Sequence, residues 1–550
     1  MYLDTSTVKK GDKTYTRHLL RQSYREDGKV KHRTVANLSS CSAQEVEAIR
    51  LALRHKGDLH GLLGAAEPST EKQGLSFGAV WLVSSLAREL KITNALGTSK
   101  EGKLALWQVI ARVIVQGSRL SAVRLAGSHA ACDVLGLGKF NEEDLYSNLD
   151  WLAGNQATIE DRLFKNLSPA EDPGLFLYDV TSSYLEGTEN QLAAFGYNRD
   201  GKKGKRQIVI GLLCTADGIP LSVEVFVGNT QDPKTFTPQI EKVVARFKTQ
   251  DVTFVGDRGM IKSQQIAHLN IPGFHYITAI TKPQIEGLLE TKVIQLSLFD
   301  QGLAEVKTDA GIRYVLRRNP IRAEEIRKSR EDKLEVLRKA LDSQNTYLNE
   351  HPRAKVEVAL GKIISRCKQF KMSDWIEISV SERTLALTIN EDAATEAAKL
   401  DGCYILKTDL PEIKASTETV HNRYKDLALV EWAFRTCKTS ELELRPIHVR
   451  LATRTRGHVF VVMLAYRIVQ ELAKRWRHLD VTVQEGLDEL ATLCTVEVET
   501  NDGVTYNRIP KPRHSIKTLL DAAKVHLPTI IPASGVKVTT KKKLPSRRNI

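Results

Sequence analysis

Apolar and polar positions along the chain change texture several times. From about residue 43 to 166 apolar residues recur at helical spacing. The stretch "SFGAVWLVSSLAREL" places Phe77, Trp81, Leu82, Leu86 and Leu90 on one face, and "LALWQVIARVIVQGSRLSAVRLAG" reads as one long, largely buried helix. At Pro173 the period changes. "GLFLYDVTSSYLEG" is a continuous apolar run of β-rich composition with an acid near its end, the pattern of a central strand. "IVIGLLC" and "IPLSVEVFVG" flank Asp217-Gly218 and predict a hairpin. "TFTPQIEKVVARF" follows as an amphipathic helix, "DVTFVGDRGM" as a buried strand ending at Asp257, "KSQQIAHL" as a helix and "FHYITAI" as a strand. Three strands, helix, strand, helix, strand describe a mixed sheet flanked by helices.

Residues 282–400 interrupt that order with short strand-like pieces and a long charged helix, and predict an inserted α+β subdomain with its own small sheet. "GCYILKTD" then reads as a strand and "TETVHNRYKDLALVEWAFRTCK" as one helix. The predicted organisation is a basic hairpin at 1–39 turning at Asp27-Gly28, a helical region at 43–166 that is a packing scaffold or a DNA-binding module, and a core in two parts. Those parts are 173–281 and 402–495, separated by the 282–400 insertion and followed by a loop-rich basic tail at 496–550. The last fourteen residues, "KVTTKKKLPSRRNI", carry six basic groups and no acid, a disordered composition.

Charge narrows the partners. The 550 residues hold 80 Lys and Arg against 66 Asp and Glu, a net +14 that favours polyanions such as nucleic acid without singling them out. Nine cations against four acids fall before Asn37, with Tyr15 and Tyr24 among them, so the first hairpin reads as a phosphate-contacting ribbon or as a solvated surface. Seven scattered cysteines without a CxxC pair argue for reduced thiols and against structural zinc. The N-terminus has no apolar signal-like run, and the apolar stretch 459–466 is far short of a membrane span. The expected location is the cytoplasm, on the nucleoid when DNA is bound.

Three acids hold special places: Asp179 near the end of the first core strand, Asp257 at the end of the fourth, and Glu431 on the later helix. Ends of neighbouring parallel strands lie about 5 Å apart, so the two aspartates can share an ion if their strands adjoin. Hard divalent cations take oxygen ligands, and two of them can clamp the attacking and leaving oxygens of a phosphodiester exchange. Singly, each acid also reads as a turn former, a cap or, for Glu431, an i, i+4 partner of Arg435. Their joint placement carries the argument. Seven residues advance a helix by about 700°, nearly two turns, so Tyr424, Glu431 and Lys438 form one stripe if the segment is a single helix.

"LYDVTSSYLEG", "VGDRGM" and "YKDLALVEWAFRTCK" with the following "RPIHVR" resemble the three motif regions of DDE transposases of bacterial insertion sequences. The last is similar to the signature Tyr, two residues, Arg, three residues, Glu, six residues, Lys, except that Leu427 stands at the Arg position. The resemblance covers about 173–281 and 402–470. It implies a ribonuclease-H-like α/β core with an insertion before the Glu helix. It further implies Asp179, Asp257 and Glu431 as catalytic, metal-binding acids for two Mg²⁺ or Mn²⁺ ions. Tyr424 and Lys438 become phosphate contacts. By helix geometry Arg435, 40° from Glu431, is either a phosphate contact in place of the missing arginine or an ordinary i, i+4 partner of Glu431. The implied reaction is nicking at terminal inverted repeats and strand transfer to target DNA, by a protein at least dimeric on DNA. A non-catalytic DNA-binding derivative and a nuclease without strand transfer are the alternatives.

Overall fold

A computed structural model describes residues 1–10, 13–54, 68–166, 174–243, 252–258, 260–261, 273–439, 441–445, 447–500 and 505–540. The chain forms two compact units: 1–166 with 183–208 and 435–550, and 167–182 with 209–434.

The second unit is built on an eight-stranded sheet. Its strands are β1 (Leu175–Tyr184), β2 (Gln207–Thr215), β3 (Pro220–Val227), β4 (Val252–Gly256), β5 (Phe274–Ala279), β6 (Ala304–Lys307), β7 (Arg313–Arg318) and β8 (Cys403–Thr408), in the order β6-β7-β8-β5-β4-β1-β2-β3. β1 and β4, and β4 and β5, run parallel; β5, β8, β7 and β6 alternate antiparallel. The sheet is therefore mixed, as its sequence order predicts. β2 and β4 are buried along their whole length, which explains their unbroken apolar runs.

Alternation along β1 sends neighbouring residues to opposite faces. Phe176 packs against Phe254, and Tyr178 against Phe236 of α1 (Asp232–Lys242), as tilted ring pairs with centroids 5.9 Å apart in both. The Tyr178 hydroxyl donates to the Thr235 carbonyl at 3.1 Å. On β2, Gly211 is obligatory, because a Cβ there would fall 2.2 Å from the Tyr178 hydroxyl oxygen. Asp179, next in sequence, is thereby committed to the other face.

The insertion, which opens on helix α2 (Lys282–Glu290), departs from expectation. Only Ile376–Ser381 and Thr384–Ile389 form a separate two-stranded sheet, packed with the helices α3 (Pro320–Glu350) and α4 (Val356–Phe370) around Leu337, Ile363 and Trp375. β6 and β7 extend the central sheet instead, because β7 pairs with β8 from Arg313↔Thr408 to Arg318↔Cys403. The predicted "KSQQIAHL" helix lies outside the described residues.

The first unit opens on a three-stranded antiparallel sheet, Tyr2–Lys10, Lys13–Glu26 and Lys29–Asn37, one strand more than the predicted hairpin. Asp27 and Gly28 carry φ of 51° and 74°, the left-handed geometry of the tight turn their dipeptide signals. The long helix expected across 104–127 is two, Lys100–Ile114 and Arg119–Ser128, the second capped by Ser118 accepting from the Ser121 N–H. The C-terminal region is not loop-rich as predicted: Cys494–Thr500, Thr505–Arg508 and Ile530–Pro532 form a four-stranded sheet with Pro68–Ser76. The tail beyond 540 lies outside the described residues. All seven cysteines are free thiols, and among the described residues no helix is long and apolar enough to cross a membrane.

Candidate active site

β1 and β4 run side by side in register, with Tyr178 opposite Gly256 as the last pair. Asp179 and Asp257 come one residue later on each strand, so two carboxylates emerge at one level from neighbouring parallel strands about 5 Å apart. Both line a cleft of about 570 Å³ in the second unit, and Glu431 lines the same cleft. The three predicted acids are thus brought to one cavity.

Each aspartate is oriented. Asp179 Oδ1 accepts from the Val180 N–H at 2.7 Å. Asp257 Oδ1 accepts from the Arg258 N–H at 2.7 Å and from the Tyr424 hydroxyl at 2.9 Å. Burial first, and then the Asp257 carboxylate, drive the Tyr424 phenol far above its ordinary pKa, so it remains a protonated donor. Tyr424, expected to touch a DNA phosphate, instead holds one of the acids.

The helix that carries Glu431 is not the single rod the stripe requires. α5 (Thr417–Lys425) ends at Asp426, and α6 (Leu427–Lys438) begins after it. At the joint the Leu429 N–H bonds the Asp426 carbonyl at 2.9 Å, an i→i+3 contact that breaks the 100° phase between Tyr424 and Glu431. Leu427, at the position where the signature has Arg, is packed at 7% exposure. Glu431 and Arg435 are exposed. Lys438 is half-buried, and its ammonium bonds Asp200 at 2.9 Å, the Asp200 side chain being only 2% exposed. Burial lowers the Lys438 pKa, and Asp200 opposes that shift. In this structure the ammonium is committed to a protein carboxylate, which is a different use from the phosphate contact expected of it.

α5 is seated by two networks. On β7, Arg313 is 1% exposed and donates to both Glu305 oxygens at 2.7 Å and to the Leu410 and Ala415 carbonyls at 2.8 Å, while Thr417 at the start of α5 donates to Glu305 at 2.6 Å. Burial works against the Glu305 charge, but the Arg313 and Thr417 hydrogen bonds outweigh it and hold the carboxyl below its ordinary value. On the next turn of α5, His421 Nε2 lies 2.7 Å from the Tyr404 hydroxyl of β8 and 2.9 Å from Arg317 Nη1 of β7. Burial, reinforced by Lys425 and Arg317, lowers the His421 pKa.

Arg258, Lys282 and Arg322 also line the cleft. Sequence reasoning passed over them. Arg258 was legible as the neighbour of Asp257, whereas Lys282 and Arg322 sit in the interrupting segment, where nothing local signals a shared cavity.

A family model described as the transposase DDE domain matches residues 171–468, and one described as the IS1634 family transposase N-terminal domain matches residues 3–65. The chain belongs to the DDE transposases of insertion sequences. No curated protein matches it. Among solved structures, the transposase is similar to piggyBac transposase in a synaptic complex with hairpin DNA, at 9% identity and a TM-score of 0.33, over 76% of this chain and 69% of that one.

A divalent metal fits the transposase's donor set in one respect and is constrained in another. Asp179, Asp257 and Glu431 offer oxygen only, as a hard cation requires. Among the described residues no group of three His, Cys, Asp or Glu side chains is close enough together to hold a metal ion. A Mg²⁺-like ion keeps several waters and takes ligands from substrate phosphate, so the protein does not have to close its shell.

Proposed function

We propose that this transposase binds the terminal inverted repeats of its insertion sequence, cleaves the DNA at the element's ends and transfers the freed 3′ hydroxyl to target DNA, on a ribonuclease-H-like core. The observation that carries the reading is that Asp179, Asp257 and Glu431 line one cleft, with Asp179 midway along β1 and Asp257 just past the end of the adjacent parallel strand β4. In hydrolysis, water oxygen bonds to phosphorus, the 3′ oxygen leaves and is protonated. In transfer, that 3′ hydroxyl attacks a target phosphodiester and expels the next 3′ oxygen, so bonds made and broken balance without an external energy source.

Asp179, Asp257 and Glu431 would hold Mg²⁺ or Mn²⁺, two ions per site; such ions would supply Lewis-acid stabilisation of the charge on the exchanging oxygens. The chain's own residues do the positioning. The Tyr424 hydroxyl fixes the Asp257 carboxylate, the Arg258 and Arg322 guanidiniums at the cleft wall offer paired donors to a phosphate, and Arg435 extends a cation from the Glu431 helix. Holding two ends of one element calls for at least two copies on DNA. The deciding experiment incubates purified protein and Mg²⁺ with DNA ending in the flanking repeats. Nicked and joined products are expected; nicks without joining would reduce the activity to that of a nuclease, and bound but intact DNA would leave a binding protein.

A further inference from the structure

The first unit contains a cleft of about 770 Å³, formed among the described residues by the start of the Arg119–Ser128 helix, the first turn of Glu142–Lys165, the segment after Lys438 and the start of Ala452–Trp476. Five arginines and two histidines line it against two glutamates, Glu143 and Glu443. Two of the arginines are recessed: Arg112 and Arg119 are each 5% exposed. Neither has an ion-pair partner among the described residues. Arg112 donates to the carbonyls of Gly117 at 2.9 Å and Leu442 at 3.4 Å, and Arg119 to Gln108 Oε1 at 2.6 Å and His458 Nδ1 at 2.8 Å.

Buried charges are ordinarily paired with opposite charge, since neutral acceptors do not repay their desolvation. Here burial brings the Arg112 pKa down to about 10, with Glu443 opposing, and that of Arg119 down to about 9, with Arg112 adding to the effect. His458 cannot relieve the repulsion by losing its own charge further, because burial and the same two arginines already keep it neutral. Ser118 already caps the Ser121 N–H, so the helix beginning at Arg119 adds the N–H groups of Arg119 and Leu120, which no carbonyl of the helix can reach, as a second donor set suited to an anion. Arg450 stands exposed on the cleft wall and makes no ion pair among the described residues. The cavity is larger than one tetrahedral anion, leaving room for the sugars on either side of a diester.

We propose that this cleft is a phosphate-binding site that receives a backbone phosphate of the bound DNA, with Arg112, Arg119 and Arg450 supplying the positive charge and the Arg119–Ser128 helix its first N–H groups. Only the origin of the phosphate rests on the transposase reading. Free phosphate compounds share the chemistry, and the test separates the two sources.

Thermal unfolding of the full chain is measured with pyrophosphate and with chloride at equal ionic strength, and affinity for repeat-ended duplex is measured across a salt series. Pyrophosphate is expected to raise the wild-type melting temperature by about 2–4 °C, and Arg450→Gln and Arg119→Gln to abolish the rise. Arg450→Gln, at an exposed position, keeps the fold and should weaken DNA binding about tenfold while reducing the salt slope by about 1. No rise in the wild type, or a rise that survives Arg450→Gln, would overturn the site. A rise abolished by Arg450→Gln without change in DNA affinity would overturn DNA as the source and assign the cleft to a free phosphate compound. A wild-type chain that binds pyrophosphate but no repeat-ended DNA would count against the transposase reading and leave the phosphate site standing.

Discussion

The Tyr424 hydroxyl donates a 2.9 Å hydrogen bond to Asp257 Oδ1, tying the last turn of α5 to the acid at the end of β4. A hydrogen bond to a charged group contributes about 1.5–3 kcal/mol. Tyr424→Phe is therefore expected to lower the cleavage rate by about tenfold to a hundredfold, with the fold and the affinity for repeat-ended DNA retained. Single-turnover nicking beside a gel shift checks it; unchanged nicking would release Tyr424 from any role in orienting Asp257.

The three acids are expected to act as one set. Asp179→Asn, Asp257→Asn and Glu431→Gln should each abolish nicking and joining, while end binding, which comes mostly from phosphate contacts elsewhere, stays within a few-fold. Gel shift and nicking on the same preparations read both. A variant that nicks normally does not belong to the site.

Lys438 and Arg435 separate two uses of a cation on α6. Lys438 shares Asp200 with Arg445, which lies close enough for an ion pair, and Asp200 also accepts from the Tyr184 N–H at 3.0 Å. Lys438→Met removes one of several partners of a buried carboxylate and is expected to cost about 1–3 kcal/mol of stability. Arg435 is exposed, and Arg435→Gln should weaken end binding and cleavage with the fold retained. Denaturation curves and gel shifts for both variants decide; a destabilised Arg435→Gln with normal binding would reverse the assignment.

Glu305 gives an acid-dependent stability. Its folded pKa lies below the ordinary 4.5, so the folded state binds fewer protons than the unfolded chain just below that value. Its contribution is complete above 4.5 and is lost as pH falls through the depressed folded value. Glu305→Gln leaves Arg313 buried without its carboxylate and is expected to cost about 3–5 kcal/mol at pH 7, with the gap to wild type closing under acid. Urea midpoints at pH 7 and pH 3 test it, and a gap independent of pH would remove the ion pair as the cause.

His421 works over a higher window. Its pKa is lowered in the folded state, so stability should fall as pH drops below the ordinary 6.5 and level off once the folded His421 itself protonates. His421→Gln should flatten the melting-temperature profile between pH 7 and 5, and an unchanged profile would acquit this histidine.

Asp179, expected near a strand end, lies midway along β1; the succession of core strands along the chain, the place of Asp257 at the end of β4 and the Asp27-Gly28 turn were legible from the chain itself. Each is a local property: an unbroken apolar run marks a strand buried on both faces, and a dipeptide tolerant of positive φ marks a tight turn. Family resemblance then named the chemistry that the spacing of the acids left open. What only the tertiary structure decided are the partners. Periodicity reports that a face is buried and is silent about what buries it. Pairing of Pro68–Ser76 with Cys494–Thr500, and the capture of β6 and β7 by the central sheet, are made by backbone hydrogen bonds between distant segments and leave no mark in side-chain pattern. The break at Asp426 changes one hydrogen bond from i→i+4 to i→i+3, too small a change for helical spacing to register. Lys438 beside Glu431 in a motif looks like a free cation until folding brings Asp200 against it, because a charge's use depends on the acid it meets in space and not on its place along the helix.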